Sequence, residues 1–184
     1  LRIPLFGPDA ILEALRPLGR WLIGPLGLVL WLVVVVLGGK AVIDHWGIFR
    51  EQTQGVLAPG NLMWLYLLWS LVKIVHEFGH GMITKRFGGE VRSCGIMLLV
   101  FTPVPFVDAS AAWSFRQRWQ RMLVGAGGMI FEVFLAVSAA VIWARAEGQG
   151  TLGNRAYNIV FLASVSTILF NANPLLRFDG YYIL

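Results

Sequence analysis

Charged residues are scarce in this sequence, and their scarcity indicates the class of protein. Asp, Glu, Lys and Arg make up only 14% of the 184 residues, whereas about 25% is usual in soluble globular domains. Hydrophobic residues make up 57%, and the mean hydropathy is +0.69. We therefore expect a protein embedded in a lipid bilayer. No soluble basic surface of the kind that binds nucleic acid is visible, so no nucleic-acid partner is expected.

Cysteine and histidine are also rare. The single cysteine, Cys94, excludes a disulfide within the chain. Only three histidines occur, so two of them at a fixed spacing are informative. No cleavable signal peptide is recognisable, because the first apolar run lies too far from the start and lacks a small-residue cleavage site. Since the sequence starts at Leu1 and stops at Leu184, just after an Asp-Gly pair, we expect it to be part of a longer protein.

Four apolar stretches are long enough to cross a membrane as helices, which requires about 20 mostly apolar residues. They lie at 21–39, 52–72, 122–144 and 156–176. The second is expected to start near Pro59 and to continue past His80. The third is interrupted only by Glu132. Residues 1–19 are predicted to form a short interfacial helix before the first span.

A shorter apolar run, at 94–106, lies between the second and third stretches and contains Pro103 and Pro105. It is too short and too rich in proline to span, so a strand-like or re-entrant segment is predicted. The predicted fold is therefore an all-α polytopic membrane protein with about four transmembrane helices and this one segment. We divide it into residues 1–57, with the interfacial segment, first helix and external loop, and a three-helix core at 58–184.

Positive charges are concentrated in one connection, between the second and third stretches. They are Lys85, Arg86, Arg92, Arg116, Arg118 and Arg121, opposed by Glu90 and Asp108. Lys and Arg are enriched in cytoplasmic loops, so residues 84–121 are predicted to be cytoplasmic. Both polar motifs described next then lie toward the cytoplasmic ends of their helices.

The second stretch contains the spacing His-Glu-x-x-His, formed by His76, Glu77 and His80. Residues four apart share one helix face and lie about 6 Å apart along the axis, so both imidazoles can bind one zinc ion. The intervening carboxylate can then act as general base on a water molecule that zinc polarises. Two histidines that merely hydrogen-bond within a bundle are the alternative. Ionisable groups at membrane depth are costly without a function, which favours the metal site.

A catalytic zinc site needs a third protein ligand, and several acidic residues are candidates. They are Glu90, Asp108, Glu132 and Asp179. Asp179 lies at the same predicted end as the histidines, and Gly180 after it would allow a tight backbone turn there. Pro174, shortly before, would break the fourth helix. An ordinary surface charge near the lipid headgroups is the alternative for Asp179.

Residues 76–80 (HEFGH) and 170–180 (FNANPLLRFDG) together resemble the site-2 protease family of intramembrane metalloproteases. The resemblance covers roughly residues 58–182. The second motif, with Val107-Asp108-Ala109-Ser110 upstream, is similar to the branch of peptide zinc metalloproteases.

The resemblance implies one zinc per chain, with His76, His80 and Asp179 as ligands and Glu77 as general base. It also implies Asn171 as a polar group that steadies the scissile carbonyl or the developing oxyanion. Asn173 competes for that role, with a helix-end cap as its alternative.

The sequence departs from the family in two places. Many relatives carry Gly-Pro and an Asn on the third helix, whereas residues 125–132 here read GAGGMIFE. Its glycines are expected to serve close helix packing. Glu132 could replace the missing polar contact or pair with Lys73. Lys73 lies one turn before Glu77 and could pair with either glutamate, and a structural ion pair is the expected role.

The predicted function is hydrolysis of a peptide bond in or beside a membrane segment, in a multi-pass protein of the bacterial inner membrane with its active site toward the cytoplasm. The expected partner is a membrane protein or membrane-associated peptide substrate. A regulatory or export-complex partner remains open. Residues 94–106 could supply an edge strand that captures the unwound substrate. A metal transporter or a non-proteolytic zinc-containing scaffold is the alternative function.

Overall fold

The computed structural model describes residues 2–99, 102–176 and 178–183. The α-helices in this part of the chain are α1 (Asp9–Ala14), α2 (Arg16–Leu22), α3 (Pro25–Asp44), α4 (Trp46–Gln52), α5 (Leu62–Arg86), α6 (Arg118–Arg145), α7 (Gly150–Val165) and α8 (Asp179–Ile183). The strands are β1 (Arg2–Phe6), β2 (Cys94–Leu99) and β3 (Thr102–Val107). Short 3₁₀ turns cover Thr53–Gly55, Pro59–Asn61 and Ser110–Ser114, and a π-helix covers Ser166–Asn171.

Three helical segments in the described residues are long and apolar enough to cross a membrane, namely Pro25–Asp44, Pro59–Arg86 and Arg118–Arg145. The expected start of the second near Pro59, and its continuation past His80, are confirmed. The fourth predicted stretch is built as the 16-residue α7 continued by the π-helix. The expected polytopic helical membrane fold is confirmed.

Helix boundaries follow from local sequence. Pro25 occupies the first turn of α3, where backbone N–H groups have no partner within the helix, so that the lack of an N–H in proline costs no hydrogen bond. At the other end of the core, α5 stops at Arg86 because Gly88 adopts a φ of 83°, a left-handed conformation that favours glycine. The N–H groups of Gly88 and Gly89 then return to the last helical carbonyls, at 3.0 Å each.

Helices α5 and α6 pack backbone against backbone through two glycines. A Cβ on Gly79 would lie 2.4 Å from the Gly127 carbonyl oxygen, and one on Gly127 would lie 3.0 Å from the Gly79 oxygen. Small residues are what permits so close an approach between membrane helices. The expected packing role of the third helix's glycines is confirmed for Gly127. Helix α7 packs on both α5 and α6 and completes the three-helix core.

The strands form an antiparallel sheet in the order β1-β2-β3. The expected strand-like segment is thus confirmed, apart from residues 100 and 101, which lie outside the described residues. β3 is an edge strand, which is where its Pro103 and Pro105 are tolerated. The prediction of an interfacial helix over residues 1–19 is wrong for residues 2–6, which pair with β2, while α1 and α2 follow. Backbone pairing with β2 overrides the local sequence there.

The N-terminal segment is fastened to the end of α5 by charge. The ammonium group of Lys85 lies 3.0 Å from carboxylate oxygens of both Asp9 and Glu13. The backbone N–H of Val91 donates to Asp9, and this bond, followed by that of Lys85, lowers the pKa of Asp9. The segment thereby holds β1 beside the site described next. The division of the chain at residues 57 and 58 stays a prediction.

Candidate metal centre

Two histidines of α5 face each other inside the helical core. His76 and His80 are buried, with 4% and 9% of their surface exposed. Their Nε2 atoms lie 3.2 Å apart. The spacing of four residues on one helix face produces this meeting, as the sequence predicted.

Hydrogen bonds at the other ring nitrogens fix which nitrogen carries the proton. Nδ1 of His80 lies 2.7 Å from the carbonyl oxygen of Val124, and Nδ1 of His76 lies 2.7 Å from Oε2 of Glu132. Both oxygens are acceptors, so each Nδ1 is the donor. In the neutral rings the Nε2 atoms then present bare lone pairs toward each other. Such rings are oriented as metal ligands are.

A carboxylate from the end of the chain joins the pair. Asp179 opens α8, and its Oδ2 lies 2.9 Å from Nε2 of His76 and 3.4 Å from Nε2 of His80. The following Gly180 lies in the first turn of α8 rather than in the tight turn expected for it. A Cβ there would lie 2.9 Å from the backbone oxygens of Asn171 and Ala172, so glycine is required by close packing.

The three side chains fit a divalent cation. His76, His80 and Asp179 bring one ligand atom each within 4.8 Å of one another. Oδ2 of Asp179 is buried and has no hydrogen-bond donor among the described residues. In a tetrahedral zinc site with bonds of about 2.0–2.1 Å, ligand atoms lie roughly 3.3–3.4 Å apart, close to the separations found here. A bound cation would satisfy the lone pairs of these three converging acceptors, which have no donor between them. Two imidazoles and one carboxylate are ligands that zinc prefers.

Glu77 lies beside this cluster and faces an open cavity. The cavity has a volume of about 1000 Å³, and Glu77, His80 and Asp179 all line it. Oε2 of Glu77 accepts a hydrogen bond of 2.9 Å from the backbone N–H of Val107 in β3. The sheet therefore fixes the orientation of the carboxylate, and the side chain lines the open cavity.

Gly128 makes room for His76 because glycine has no Cβ. A Cβ at this position of α6 would lie 2.4 Å from Nε2 of His76. The glycine therefore does more than allow close helix packing, which was the role expected from the sequence. It leaves the space in which the imidazole stands.

Asn171, predicted to steady the substrate carbonyl, is buried behind the histidines. Its Nδ2 donates to Oε2 of Glu132 at 2.9 Å and to Oγ of Ser166 at 3.2 Å. Its role toward a substrate stays a prediction. Asn173, for which a helix-end cap was the alternative, accepts a local hydrogen bond of 2.9 Å from the N–H of Leu175, in the turn between the π-helix and α8.

Lys73 pairs with Glu132 rather than with Glu77. Its Nζ lies 3.7 Å from Oε2 of Glu132 and also donates to the hydroxyl of Ser166. The sequence left both glutamates open as partners. It gave no reason to single out Ser166, because only the π-helix places that residue beside Asn171.

The chain resembles a known protein family over a stretch that includes His76, Glu77 and His80. The sequence profile described as Peptidase family M50 matches residues 64–159, just over half of the chain. The chain belongs to peptidase family M50. The suspected relationship to the site-2 proteases is thus confirmed, and with it the membership of a zinc metalloprotease family.

One curated relative of this M50 chain is the "Putative peptide zinc metalloprotease protein YydH" of Bacillus subtilis (strain 168). It is 28% identical over 128 residues, which are 68% of this chain and 48% of the relative. The chain thus spans about half the length of that protein. No solved structure matches the chain.

Proposed function

We propose that this chain is the catalytic core of an intramembrane zinc metalloprotease that hydrolyses peptide bonds in or next to membrane-spanning segments. The observation that carries the proposal is the cluster of His76, His80 and Asp179, which lies among membrane-length helices and opens on a cavity that Glu77 also lines. A single zinc ion per chain would be held by these three side chains, with one position left open. When bound, zinc supplies a Lewis acid that polarises water and carbonyl oxygen.

In this proposal Glu77 is the general base. Its Oε2 accepts a hydrogen bond from the N–H of Val107, and Oε1 would take a proton from the attacking water and pass it to the leaving amine. Asn171 would act on the substrate carbonyl only if its amide turned from Glu132 toward the cavity. The hydrogen bond from Val107 fixes the Glu77 carboxylate, and this supports proton transfer by Glu77 as the main catalytic contribution of the protein's own side chains.

The proposed substrate is a membrane protein or membrane-associated peptide that reaches the site from within the bilayer. The proposed location is the bacterial inner membrane, with the site toward the cytoplasm. The segment 84–121 is rich in Lys and Arg and lies on the side where α5 ends and α6 begins, and such segments are usually cytoplasmic. A regulatory or export-complex partner stays a prediction from the sequence.

Strand β3 is the proposed place where an unwound substrate is captured. The N–H of Val107 points at Glu77 and that of Asp108 bonds back to Ser93 beside β2, so residues alternate between the two sides of the strand. Pro103 and Pro105 therefore face the open edge with carbonyls and without N–H groups. An extended substrate could donate its own N–H groups to this edge while its carbonyls stay available for attack.

A proline in the central strand tests this capture. We expect Met97→Pro to abolish cleavage while zinc binding is retained, because Met97 pairs with Val104 and its loss of an N–H loosens β3 from β2. Cleavage of a peptide and zinc content, measured on the same preparation, check it. Unchanged cleavage by the variant would contradict capture at β3.

The proposed activity can be tested without knowing the natural substrate. The detergent-purified protein is incubated with a mixture of synthetic single-span peptides, and products are identified by mass spectrometry. We expect cleavage within or near the spans, its loss after a chelator removes the metal, and its recovery when zinc is added back. Zinc-loaded protein that cleaves none of the peptides would speak for the scaffold or transporter alternative.

A further inference from the structure

Among the residues that the structure describes, Glu132 is the most deeply buried ionisable side chain, with 0% of its surface exposed. Its Oε2 accepts from Nδ1 of His76 at 2.7 Å and from Nδ2 of Asn171 at 2.9 Å. Nζ of Lys73 lies 3.7 Å from the same oxygen. Burying a carboxylate at membrane depth costs free energy unless partners compensate its charge, and such residues usually have a function. Three cationic or N–H partners on one oxygen of Glu132 therefore suggest a function for this side chain.

The contacts of Glu132 join the segments that carry the metal ligands. Lys73 and His76 belong to α5, Glu132 to α6, and Ser166 and Asn171 to the π-helix that leads to Asp179. In that π-helix the N–H of residue 172 bonds to the carbonyl of residue 167, five positions back, at 2.8 Å. The wider turn brings Ser166 and Asn171 to one face, where both contact the cluster. Single π-helical turns of this kind are frequent at functional sites.

The position of Glu132 relative to His76 defines what it can do. It touches Nδ1, on the opposite side of the ring from the Nε2 that faces His80 and Asp179. The bond fixes Nδ1 as the protonated nitrogen and so keeps Nε2 free to bind a metal. On the Nε2 side of the ring, the absence of a Cβ at Gly128 leaves space for the imidazole. Without a hydrogen-bond partner at Nδ1, the ring would therefore be free to turn.

We propose that Glu132 is a positioning residue for the zinc site: it holds His76 in its ligand orientation, with Lys73 as counter-ion, and never touches the metal itself. The proposal rests on the zinc site argued above. It differs from the simpler interpretation in which Lys73 and Glu132 form a structural ion pair. The distances favour positioning, because the carboxylate lies closer to His76 and Asn171 than to Lys73.

Three variants separate the two interpretations: Glu132→Gln, Lys73→Met and the double variant that combines them. Glu132→Gln keeps the size of the side chain and one accepting oxygen, but it replaces the charge-assisted hydrogen bond to His76 by a weaker neutral one and leaves Lys73 buried without a counter-charge. The double variant removes that unpaired charge. For each purified protein we would measure thermal unfolding, zinc affinity by competition with a fluorescent chelator, and the visible spectrum with Co²⁺ in place of zinc.

Positioning predicts that stability and zinc affinity respond separately. Because Lys73→Met leaves the Glu132 carboxylate buried without a counter-charge, we expect the double variant to unfold at or above the temperature of Lys73→Met. We nevertheless expect the double variant to bind zinc about 10- to 100-fold more weakly and to show an altered Co²⁺ band. Lys73→Met alone should bind zinc as tightly as the wild type. Because the double variant carries the comparison, the result does not depend on Glu132→Gln folding by itself.

Equal zinc affinity and equal Co²⁺ spectra in the double variant and Lys73→Met would overturn the positioning role and leave a structural ion pair. A wild-type protein that binds no zinc would overturn the metal site itself, and the positioning role with it. The two failures are distinguishable because only the first leaves a metal-loaded wild type.

Discussion

Exchange of Glu77 for glutamine is expected to lower peptide hydrolysis by about 10²- to 10⁴-fold, the usual contribution of a general base. The amide has nearly the same shape and can still accept the N–H of Val107, so the fold and the cavity should be unchanged. It cannot take a proton from water at neutral pH. Zinc content should stay at the wild-type level, because Glu77 is not among the three converging ligands. Turnover of a peptide identified in the mixture, measured beside zinc per chain, checks both expectations.

Glu90→Gln is a matched control for this experiment. Glu90 carries the same charge and lies just beyond α5, but its side chain is 71% exposed and pairs with Arg92 on the surface. Its exchange should leave turnover within error of the wild type. If Glu77→Gln retained wild-type turnover, Glu77 would not be the base, and a transporter or scaffold would gain support.

Features set by spacing along the chain could be predicted from the sequence. The positions of His76, Glu77 and His80 on one helix follow from a helical period that holds wherever the segment is long and apolar. The strand character of residues 94–99 and 102–107 followed from a run too short to span and broken by prolines. In both cases local chemistry narrowed the possibilities, to a metal site or a hydrogen-bonded pair for the histidines and to a strand or a re-entrant segment for residues 94–106.

Features that depend on contacts across the fold could not be predicted from the sequence. Nothing near residues 2–6 indicates a strand, because the partner that makes it one lies 88 to 95 positions away in β2. Ser166 reaches Lys73 only through a π-helix, whose extra residue leaves no local pattern. Gly128 resembles its neighbouring packing glycines until the ring of His76 is placed beside it.

The cluster around Glu132 shows how a departure from a family pattern can be interpreted. The sequence offered pairing with Lys73 or replacement of a missing polar contact, and the structure combines the two. One oxygen of the carboxylate meets the lysine, the Asn171 amide and the His76 ring. A carboxylate in place of a neutral amide also brings a negative charge, which accounts for the lysine at membrane depth.

Replacement of Asp179 by alanine is expected to remove most of the zinc from the purified protein. About one zinc per chain in the wild type should fall well below that level. The affinity loss should exceed the roughly 10- to 100-fold loss that follows changes in outer-shell partners. The reason is geometric, since Oδ2 of Asp179 lies within 3.4 Å of both imidazole nitrogens and supplies the only charge in the cluster of three. Elemental analysis after dialysis against a zinc buffer measures the effect.

Asp108→Ala provides the matched control for Asp179→Ala. Asp108 lines the same cavity, but its carboxylate accepts from the hydroxyl and from the N–H of Ser110, and these two bonds lower its pKa. Its loss should leave the zinc content unchanged. Full zinc retention by Asp179→Ala would contradict a shared site between α5 and α8. Glu132 could not then serve as the missing ligand without turning His76, because it lies on the Nδ1 side of that ring.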